Sequence, residues 1–278
     1  LKSDLEGDGD INKNQDGDLI FSGDHSQFNG NTNINSSGNI TFVNGMFGNL
    51  NFNDVEGKTI GIIADNIQGA INQTKNATVS YTTINDIDLI FNNEVNVSAG
   101  TFNAIAKAGR DVYFNDDVEV TGGTMGVYGN NANFESSAVV ENASLYSFAQ
   151  STKFNELGID KGNLIIANNG FSVANTMAST GTVDIMNGVI ANNTIGGDFY
   201  TIGGETSNFK IDISPRNKTS DTTTIDGSIL NYGTLQGTIN ISDFQFIGKA
   251  PIDRNIGLTL FKTSNPIDDN VLFSPTNK

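Results

Sequence analysis

Short apolar runs alternate with polar turns along the whole chain. Each run holds three to five apolar or β-branched residues and is followed by an Asn, Gly or Asp turn, as at 19–21, 40–43, 89–91, 112–114 and 164–166. Such runs predict short β-strands, and no stretch of about 12 residues has the apolar spacing of an amphipathic helix. No Pro- or Ser-rich linker divides the middle of the chain, so the pattern predicts a single domain over residues 1–278.

The strands recur with a period of about 20 to 23 residues, the length of one parallel β-helix coil with three short strands and three turns. Val95 and Val97 fall on Val118 and Val120 at an offset of 23. The clearest column has spacings of 23, 20 and 20 residues, after which the next strand slips by one residue: Phe91, Phe114, Phe134 and Phe154. We therefore predict an all-β, right-handed parallel β-helix of about 13 coils, with equivalent residues stacked about 4.8 Å apart.

The alternative all-β architecture is a β-sandwich or jelly roll. Those folds also have many short strands with turn signals about every 8 to 12 residues, so alternation within strands does not separate them from a solenoid. The echo at about 20 residues favours the solenoid. We expect its coils to begin near Asp18, after an acidic segment at 1–17, and to end in a capping segment at 251–278.

Composition limits the chemistry that the chain can carry. Asp and Glu total 31 against 15 Lys and Arg, and the net charge of −16 disfavours binding to nucleic acid or to an anionic membrane. With no Cys and a single histidine, His25, disulfides, thiol catalysis and metal sites built on several Cys or His side chains are excluded. No run approaches the roughly 20 apolar residues of a membrane helix. The 18 Phe residues supply apolar area that disordered chains lack.

Residues 17–42 resemble the passenger-associated repeat of type V autotransporters. That repeat reads as a Gly, a short apolar strand, Ser-Gly, an aromatic residue, a Gly, a Thr-rich strand and a final Gly. The family expects a second Thr where this chain has Asn33. The matching positions are Gly17, 19–21, Ser22, Gly23, Phe28, Gly30, 32–34 and Gly38.

Residues 220–244 and 256–264 resemble the last part of a passenger before the autotransporter's membrane domain. There the family has an Asp-x-Leu-x-(Val/Ile)-x-Gly phrase, followed by a strand that ends on Leu-Phe or Leu-Leu. Thr223 replaces the apolar residue of the phrase. The residues that match are Asp221, Ile225, Gly227, Leu260 and Phe261.

The resemblance implies a secreted parallel β-helix that is presented at a bacterial cell surface, anchored at the outer membrane or released. Passengers of this kind are most often adhesins or self-association factors. The implied partners are therefore a host surface protein, a glycan or a second copy of the rod. Neither a signal peptide nor a membrane domain lies within these residues, so we expect a mature extracellular fragment that does not insert into a membrane itself.

His25 is the one candidate base for a nucleophilic triad, and it lies in a predicted turn. Asp24 and Ser26 are its chain neighbours, a separation that does not make a triad by itself. The Gly-Asp-Ser-Gly phrase that marks autotransporter proteases is absent. We therefore expect His25 to be an exposed turn residue and predict no catalytic residues.

Paired carboxylates are a second candidate for chemistry, because many polysaccharide lyases and hydrolases are parallel β-helices. Such enzymes place an Arg or Lys beside the acids, and Arg110 is the best candidate here. The alternative is solvated surface charge. The carboxylates at predicted junctions of strands and turns are Asp86, Asp88, Asp116, Asp117, Glu119 and Asp184.

The N-terminal segment 6–18 carries carboxylate or amide oxygens at alternate positions, as calcium-binding loops do. Lys13 occupies the place of the usual loop Gly, and no Glu follows at the twelfth position. A frayed acidic tail is therefore the alternative. The predicted calcium ligands are Asp8, Asp10, Asn12 and Asp16. No other cofactor is predicted.

The function predicted from the sequence is adhesion or self-association by an extracellular rod. Two alternatives stay open. A carbohydrate-active enzyme on the same scaffold requires a cleft with at least three converging acids and an Arg or Lys. A structural stalk requires no ligand at all.

Overall fold

A computed structural model describes residues 1–166 without a break and, beyond them, the segments 171–175, 177–179, 182–185, 193–195, 199–201, 206–213, 223–225, 229–231, 234–241, 261–263 and 271–276. In these residues the chain is all-β, with parallel strands stacked in a solenoid, and about eight turns are well defined. The parallel β-helix predicted from the sequence is therefore confirmed. No helix that could span a membrane occurs in this part of the chain.

Each coil contributes strands to three faces, which we number in chain order. Face I carries the first strand of each coil: Glu6–Gly7, Gln27–Phe28, the bridged residues Met46 and Ile67, Leu89–Phe91, Val112–Phe114, Phe171–Val173, Asn193–Ile195, Thr223–Ile225 and Phe261–Thr263. Face II carries the second: Ile11–Lys13, Asn31–Ile34, Asn49–Phe52, Ile71–Gln73, Val95–Val97, Val118–Val120, Met177–Ser179, Phe199–Thr201 and Ile229–Asn231. Two long strands turn the corner from face I onto face II: Asn131–Glu141 and Ser151–Asp160.

Face III is a sheet of twelve parallel strands. They are Leu19–Phe21, Gly38–Phe42, Thr59–Ala64, Thr78–Thr82, Thr101–Ile105, Thr124–Tyr128, Ser144–Ser147, Asn163–Ile166, Thr182–Ile185, Thr206–Ile213, Thr234–Ile241 and Val271–Thr276. The period is not constant, because Phe209 pairs with Gly237, 28 residues later, and Gly237 with Phe273, 36 residues later. The predicted count of about 13 coils rests on an even period, and the longer coils reduce it.

The register of the strands follows the phenylalanine column. Phe91 pairs with Phe114 and Phe134 with Phe154, and the register shifts by one residue directly after Phe134, as the sequence predicts. The four rings are at most 2% exposed and stack at centroid distances of 4.8, 4.7 and 4.5 Å. This spacing equals the separation of neighbouring strands, so each ring packs on the equivalent ring one coil away. A narrow core is therefore continuous along the rod.

Glycines form the corner where the chain enters face III. Gly100 and Gly123 both have φ of +76°, a region that favours glycine. A Cβ on Gly123 would overlap the carbonyl oxygen of Gly100, one coil below. These corners approach each other so closely that a side chain has no room between successive coils.

The solenoid begins earlier than the predicted start near Asp18. Glu6–Gly7 pairs with Gln27–Phe28, and Ile11–Lys13 pairs with Asn31–Ile34. Most of segment 1–17 therefore forms the first coil of the solenoid, although it is rich in acidic residues, and it is not a frayed tail. In the predicted capping segment 251–278, the two described strands continue faces I and III.

Candidate functional site

Eight carboxylates cap backbone amides of the following coil. Each accepts a hydrogen bond from an N–H group 20 to 23 residues further along the chain, with distances of 2.7–3.2 Å. These bonds satisfy N–H groups at the corners, where the strand ladders are interrupted. The eight residues are Asp4, Asp16, Asp18, Glu56, Asp65, Asp88, Asp111 and Asp117. Much of the negative charge that the sequence offers for chemistry therefore holds the coils together.

Asp111 is the most heavily bonded of these carboxylates. It accepts hydrogen bonds from the backbone and side-chain N–H groups of Asn131, the side chain of Asn130 and the hydroxyl of Tyr113. Burial acts to raise the pKa of Asp111, but the bonds from Asn131 and Asn130 outweigh it and lower the pKa. A carboxylate fixed in its charged form by four donors is a structural acceptor and a poor general acid.

The acids that the sequence predicts as candidates for chemistry do not converge in the described residues. Asp86 forms an ion pair with Arg110 at 3.0 Å, and the bond from the Arg110 guanidinium lowers the pKa of Asp86. Asp88 instead accepts a hydrogen bond from the backbone N–H of Asp111, and Asp116 accepts one from the backbone N–H of Asp117. The exposed Glu119 lies on face II, whereas the strand that contains Asp184 lies on face III, and the side chain of Asp184 is outside the described residues.

Arg110 therefore lies beside one predicted acid, Asp86. The described residues do not form the cleft with three converging acids that a carbohydrate-active enzyme requires. A cavity on face I is lined by one acid and one base, Glu135 and Lys153, beside Phe134 and Phe154. Because the ion pair of Asp86 and Arg110 is solvent-exposed, its contribution to stability is small. Asp88 and Asp117 cap backbone amides and Asp86 pairs with Arg110, so no catalytic pair is assembled among the described side chains.

His25 is buried, which corrects the prediction of an exposed turn residue. Its side chain is 2% exposed, its ring packs edge-on against Phe21 at 5.6 Å, and neither ring nitrogen has a hydrogen-bond partner. Burial lowers the pKa of His25, although Asp4 and Asp24 act to raise it. With no hydroxyl bonded to its ring, His25 acts as a packing residue.

Replacing His25 with Phe should therefore make stability less sensitive to acid. The unfolded chain takes up a proton near the ordinary histidine pKa of 6.5, and the folded chain does so only at lower pH, so stability is lost as pH falls below 6.5. Urea titrations of both chains at pH 7, 6 and 5 measure this. We expect His25→Phe to gain about 1 kcal/mol at pH 7, because no ring nitrogen is left unpaired, and to lose less stability on acidification. Equal losses in the two chains would contradict this account.

The predicted calcium ligands lie along the outer side of the first coil. Asp10 accepts bonds from Asn31 and Asn33, Asn12 from Asn33, and Asp16 from the backbone of Ser37. No group of three or more His, Asp or Glu side chains that could hold a metal ion occurs in the described part of the chain. Calcium binding by Asp8, Asp10, Asn12 and Asp16 stays a prediction.

A lysine, Lys13, lies between the predicted ligands Asn12 and Asp16, at the end of the strand Ile11–Lys13. The Lys13 ammonium donates to the carbonyls of Gln15 and Ser37 and to the hydroxyl of Ser36, at 2.6–2.9 Å, and its side chain is buried. Burial lowers the pKa of Lys13. This ammonium already supplies positive charge to oxygens that a bound cation would otherwise contact.

Face II carries a ladder of outward-facing asparagine amides. Each Nδ2 donates to the Oδ1 of the residue one coil before it, at 3.1–3.4 Å. The ladder consists of Asn12, Asn33, Asn51, Asn72 and Asn96. Because these amides bond one another, part of their capacity for an external ligand is already used.

Within residues 19–166, face III differs from the other two faces because its strands carry no charged residue. Its eight strands from Leu19–Phe21 to Asn163–Ile166 contain no Asp, Glu, Lys or Arg. The strands of faces I and II within residues 1–166 do carry charges, at Glu6, Lys13, Glu119, Glu135, Glu141, Lys153, Glu156 and Asp160. In a chain of net charge −16, this uncharged part of face III is the surface best suited to close contact with another molecule.

The outward side chains of face III form three columns, because pairing stacks equivalent residues. The hydroxyl column consists of Thr59, Thr78, Thr101, Thr124 and Ser144. The middle column consists of Asn39, Gly61, Ser80, Asn103, Gly126, Tyr146 and Ile165. The apolar column consists of Ile20, Thr41, Ile63, Thr82, Ile105, Tyr128 and Phe148.

The apolar column holds much of the exposed apolar surface of the described residues. Of the seven large apolar side chains that are well exposed there, Ile20, Ile105, Tyr128 and Phe148 belong to this column. Tyr128 stacks on Phe148 at 4.8 Å, and Tyr146 lies nearly parallel to Phe148 at 6.3 Å. Apolar and aromatic side chains that stay exposed in a contiguous row mark interaction surfaces.

Sequence reasoning missed face III as a surface. The strands at 59–64, 78–82, 101–105 and 124–128 contain no charged residue, and this is visible in the sequence. It indicates a continuous surface only once these strands are known to lie on the same face. Comparison with known proteins adds no assignment: no family model matches the chain, no curated protein matches it significantly, and no solved structure does.

Proposed function

We propose that this chain is the passenger part of an autotransporter-like surface protein and that it acts by binding, as an adhesin or self-association factor. The observation that carries the proposal is the row of eight uncharged face III strands within residues 19–166 of an otherwise acidic chain. Extracellular presentation is proposed from the autotransporter-like segments at 17–42 and 220–264, and a chain without Cys agrees with it.

The physical mechanism is the addition of many weak contacts. Hydroxyl, amide and aromatic side chains recur on face III at the strand spacing of about 4.8 Å. Each contact is weak, but a rigid array engages many of them at once, and linked contacts raise the overall affinity without any single strong site. A rod of this kind suits a repetitive partner such as a glycan surface or another rod.

Two matched substitutions in one coil test the proposal. Asn103 lies in the middle column of face III and Asn96 in the ladder of face II, both half-buried and outward-facing. We expect Asn103→Lys to weaken adherence of the purified chain to cells and its self-aggregation at least 10-fold, because it places a charge on the neutral face. Asn96→Lys should change both less than 3-fold.

Adherence, blocking and aggregation assays, with thermal unfolding as a check on folding, decide between the outcomes. Equal effects of the two substitutions would contradict face III as the contact surface. A wild-type chain that neither adheres, blocks nor associates with itself would contradict the proposed function and favour the stalk.

A further inference from the structure

We infer that the partner of face III is a second copy of this chain, bound face to face with the two rods antiparallel. The inference rests on the proposed function and names both the partner and its orientation. It follows from three properties of the described residues: the distribution of charge, the order of the columns on face III and the area that this face offers.

Charge selects the face. Two copies, each with a net charge of −16, repel each other, and close contact through face I or II would set acidic residues such as Glu119 or Glu135 against the partner's acids. Contact through face III leaves these residues on the far sides of both rods. The eight face III strands within residues 19–166 are therefore the surface through which two copies can approach without juxtaposing charged strand residues.

The order of the columns selects the orientation. A symmetric dimer uses the same patch on both copies. A two-fold axis parallel to the rods would place the apolar column of each copy on the partner's hydroxyl column. A two-fold axis parallel to the strands places the apolar column on the apolar column and the hydroxyl column on the hydroxyl column. The second arrangement buries Ile105 and Tyr128 against apolar groups, and it makes the rods antiparallel.

The available area fits a reversible dimer. The seven strands from Gly38–Phe42 to Asn163–Ile166 span roughly 34 Å along the rod at about 4.8 Å per strand, and five residues at about 3.3 Å give a width of roughly 16 Å. Together the two copies would bury about 1,100 Å². This area just exceeds the roughly 1,000 Å² expected of a specific interface. Exposed aromatic side chains at Tyr128 and Phe148 provide the anchors that such interfaces use.

The first experiment is sedimentation equilibrium of the 278-residue chain and two lysine variants. Ile105 is 38% exposed in the apolar column, and Ile87 is 42% exposed in the turn at 84–87, away from face III. We expect a dimer whose dissociation constant rises at least 10-fold with Ile105→Lys and less than 2-fold with Ile87→Lys. Both substitutions reduce the net negative charge equally, so a general charge effect would strengthen association in both.

The second experiment tests orientation, and the absence of native Cys makes it direct. Thr124 and Tyr128 lie at opposite ends of one face III strand, in the hydroxyl and apolar columns. Treated with a short bis-maleimide, Tyr128→Cys should form a covalent dimer with itself. A mixture of Thr124→Cys and Tyr128→Cys should give few mixed dimers. Predominantly mixed dimers would establish parallel rods and overturn the proposed orientation.

The outcomes separate this inference from the proposed function. Either of two results overturns the inference. In the first, the chain stays monomeric up to 1 mM, a dissociation constant that corresponds to a binding free energy of about 4 kcal/mol. In the second, the chain dimerises but Ile105→Lys leaves the dissociation constant unchanged. If such a chain still adheres to cells in an Asn103-dependent way, the proposed function stands and only the second copy is excluded as the partner.

Discussion

Phe114→Ala is expected to lower the free energy of unfolding by about 3 to 5 kcal/mol. The Phe114 ring is 1% exposed and stacks on Phe91 at 4.8 Å on one side and on Phe134 at 4.7 Å on the other. Its removal therefore opens a cavity in the middle of the column and breaks two ring contacts. The narrow solenoid core has no second layer that could move in to fill the gap.

Denaturant unfolding and amide hydrogen exchange measure this effect together. Each coil contacts only its neighbours, so we expect protection to fall most in the strands at 89–91, 112–114 and 131–134. Tyr113→Ala is the matched control, since Tyr113 is the preceding residue on the same strand and points outward. It should lose about 1 kcal/mol or less. A similar loss in both variants would show that the ring column does not carry the stability of these coils.

Gly123→Ala is expected to lower the free energy of unfolding by about 3 kcal/mol or more, because it adds backbone strain and a steric clash. Gly123 has φ of +76°, and an added Cβ would overlap the carbonyl oxygen of Gly100. Relief of this overlap would require two successive coils to separate at the corner, which would weaken the hydrogen bond from Thr124 to the Gly100 carbonyl.

Gly109→Ala separates the two causes. Gly109 has nearly the same φ, +79°, but a Cβ there would meet no atom within 4 Å. The free energy of unfolding of this control should fall by only about 1 to 2 kcal/mol, the cost of placing a residue with a Cβ in the left-handed conformation. Thermal or urea unfolding of both variants gives the difference, which measures how tightly the corners are packed. Equal losses would mean that the coils can separate at little cost.

The register of the solenoid was predictable from the sequence because its core uses large identical residues. Phe91, Phe114, Phe134 and Phe154 pair at the expected offsets, and the one-residue slip after the column appears as a shift in strand pairing. Because the same core residue recurs once in each coil, its spacing in the sequence gives the length of the coil. The first coil was missed because its strands at 6–7 and 11–13 carry polar and charged residues in place of such a column.

The roles of the acids could not be predicted in the same way. A turn carboxylate that caps an amide and one that serves catalysis look alike in sequence, and the difference is where the amide one coil later lies. Asp88 and Asp111 illustrate this, since each binds a backbone N–H 20 or 23 residues away. His25 was misplaced for a related reason, because the ring of Phe21 and the turn around it bury a residue that its polar neighbours suggested was exposed.

The asparagine ladder gives the rod a direction. Backbone hydrogen bonds in parallel strands point alternately up and down, so their dipoles largely cancel along the axis. The amides of Asn33, Asn51, Asn72 and Asn96 instead all donate toward the N-terminal end, and the capping carboxylates accept hydrogen bonds from N–H groups that point in the same direction. Aligned dipoles of this kind leave amide N–H groups at the first coil and a carbonyl oxygen at the far end of the ladder, where Asn96 Oδ1 has no hydrogen-bond partner. The two ends of the ladder are thus electrically distinct, and the Asn96 end is the one that favours a further N–H donor.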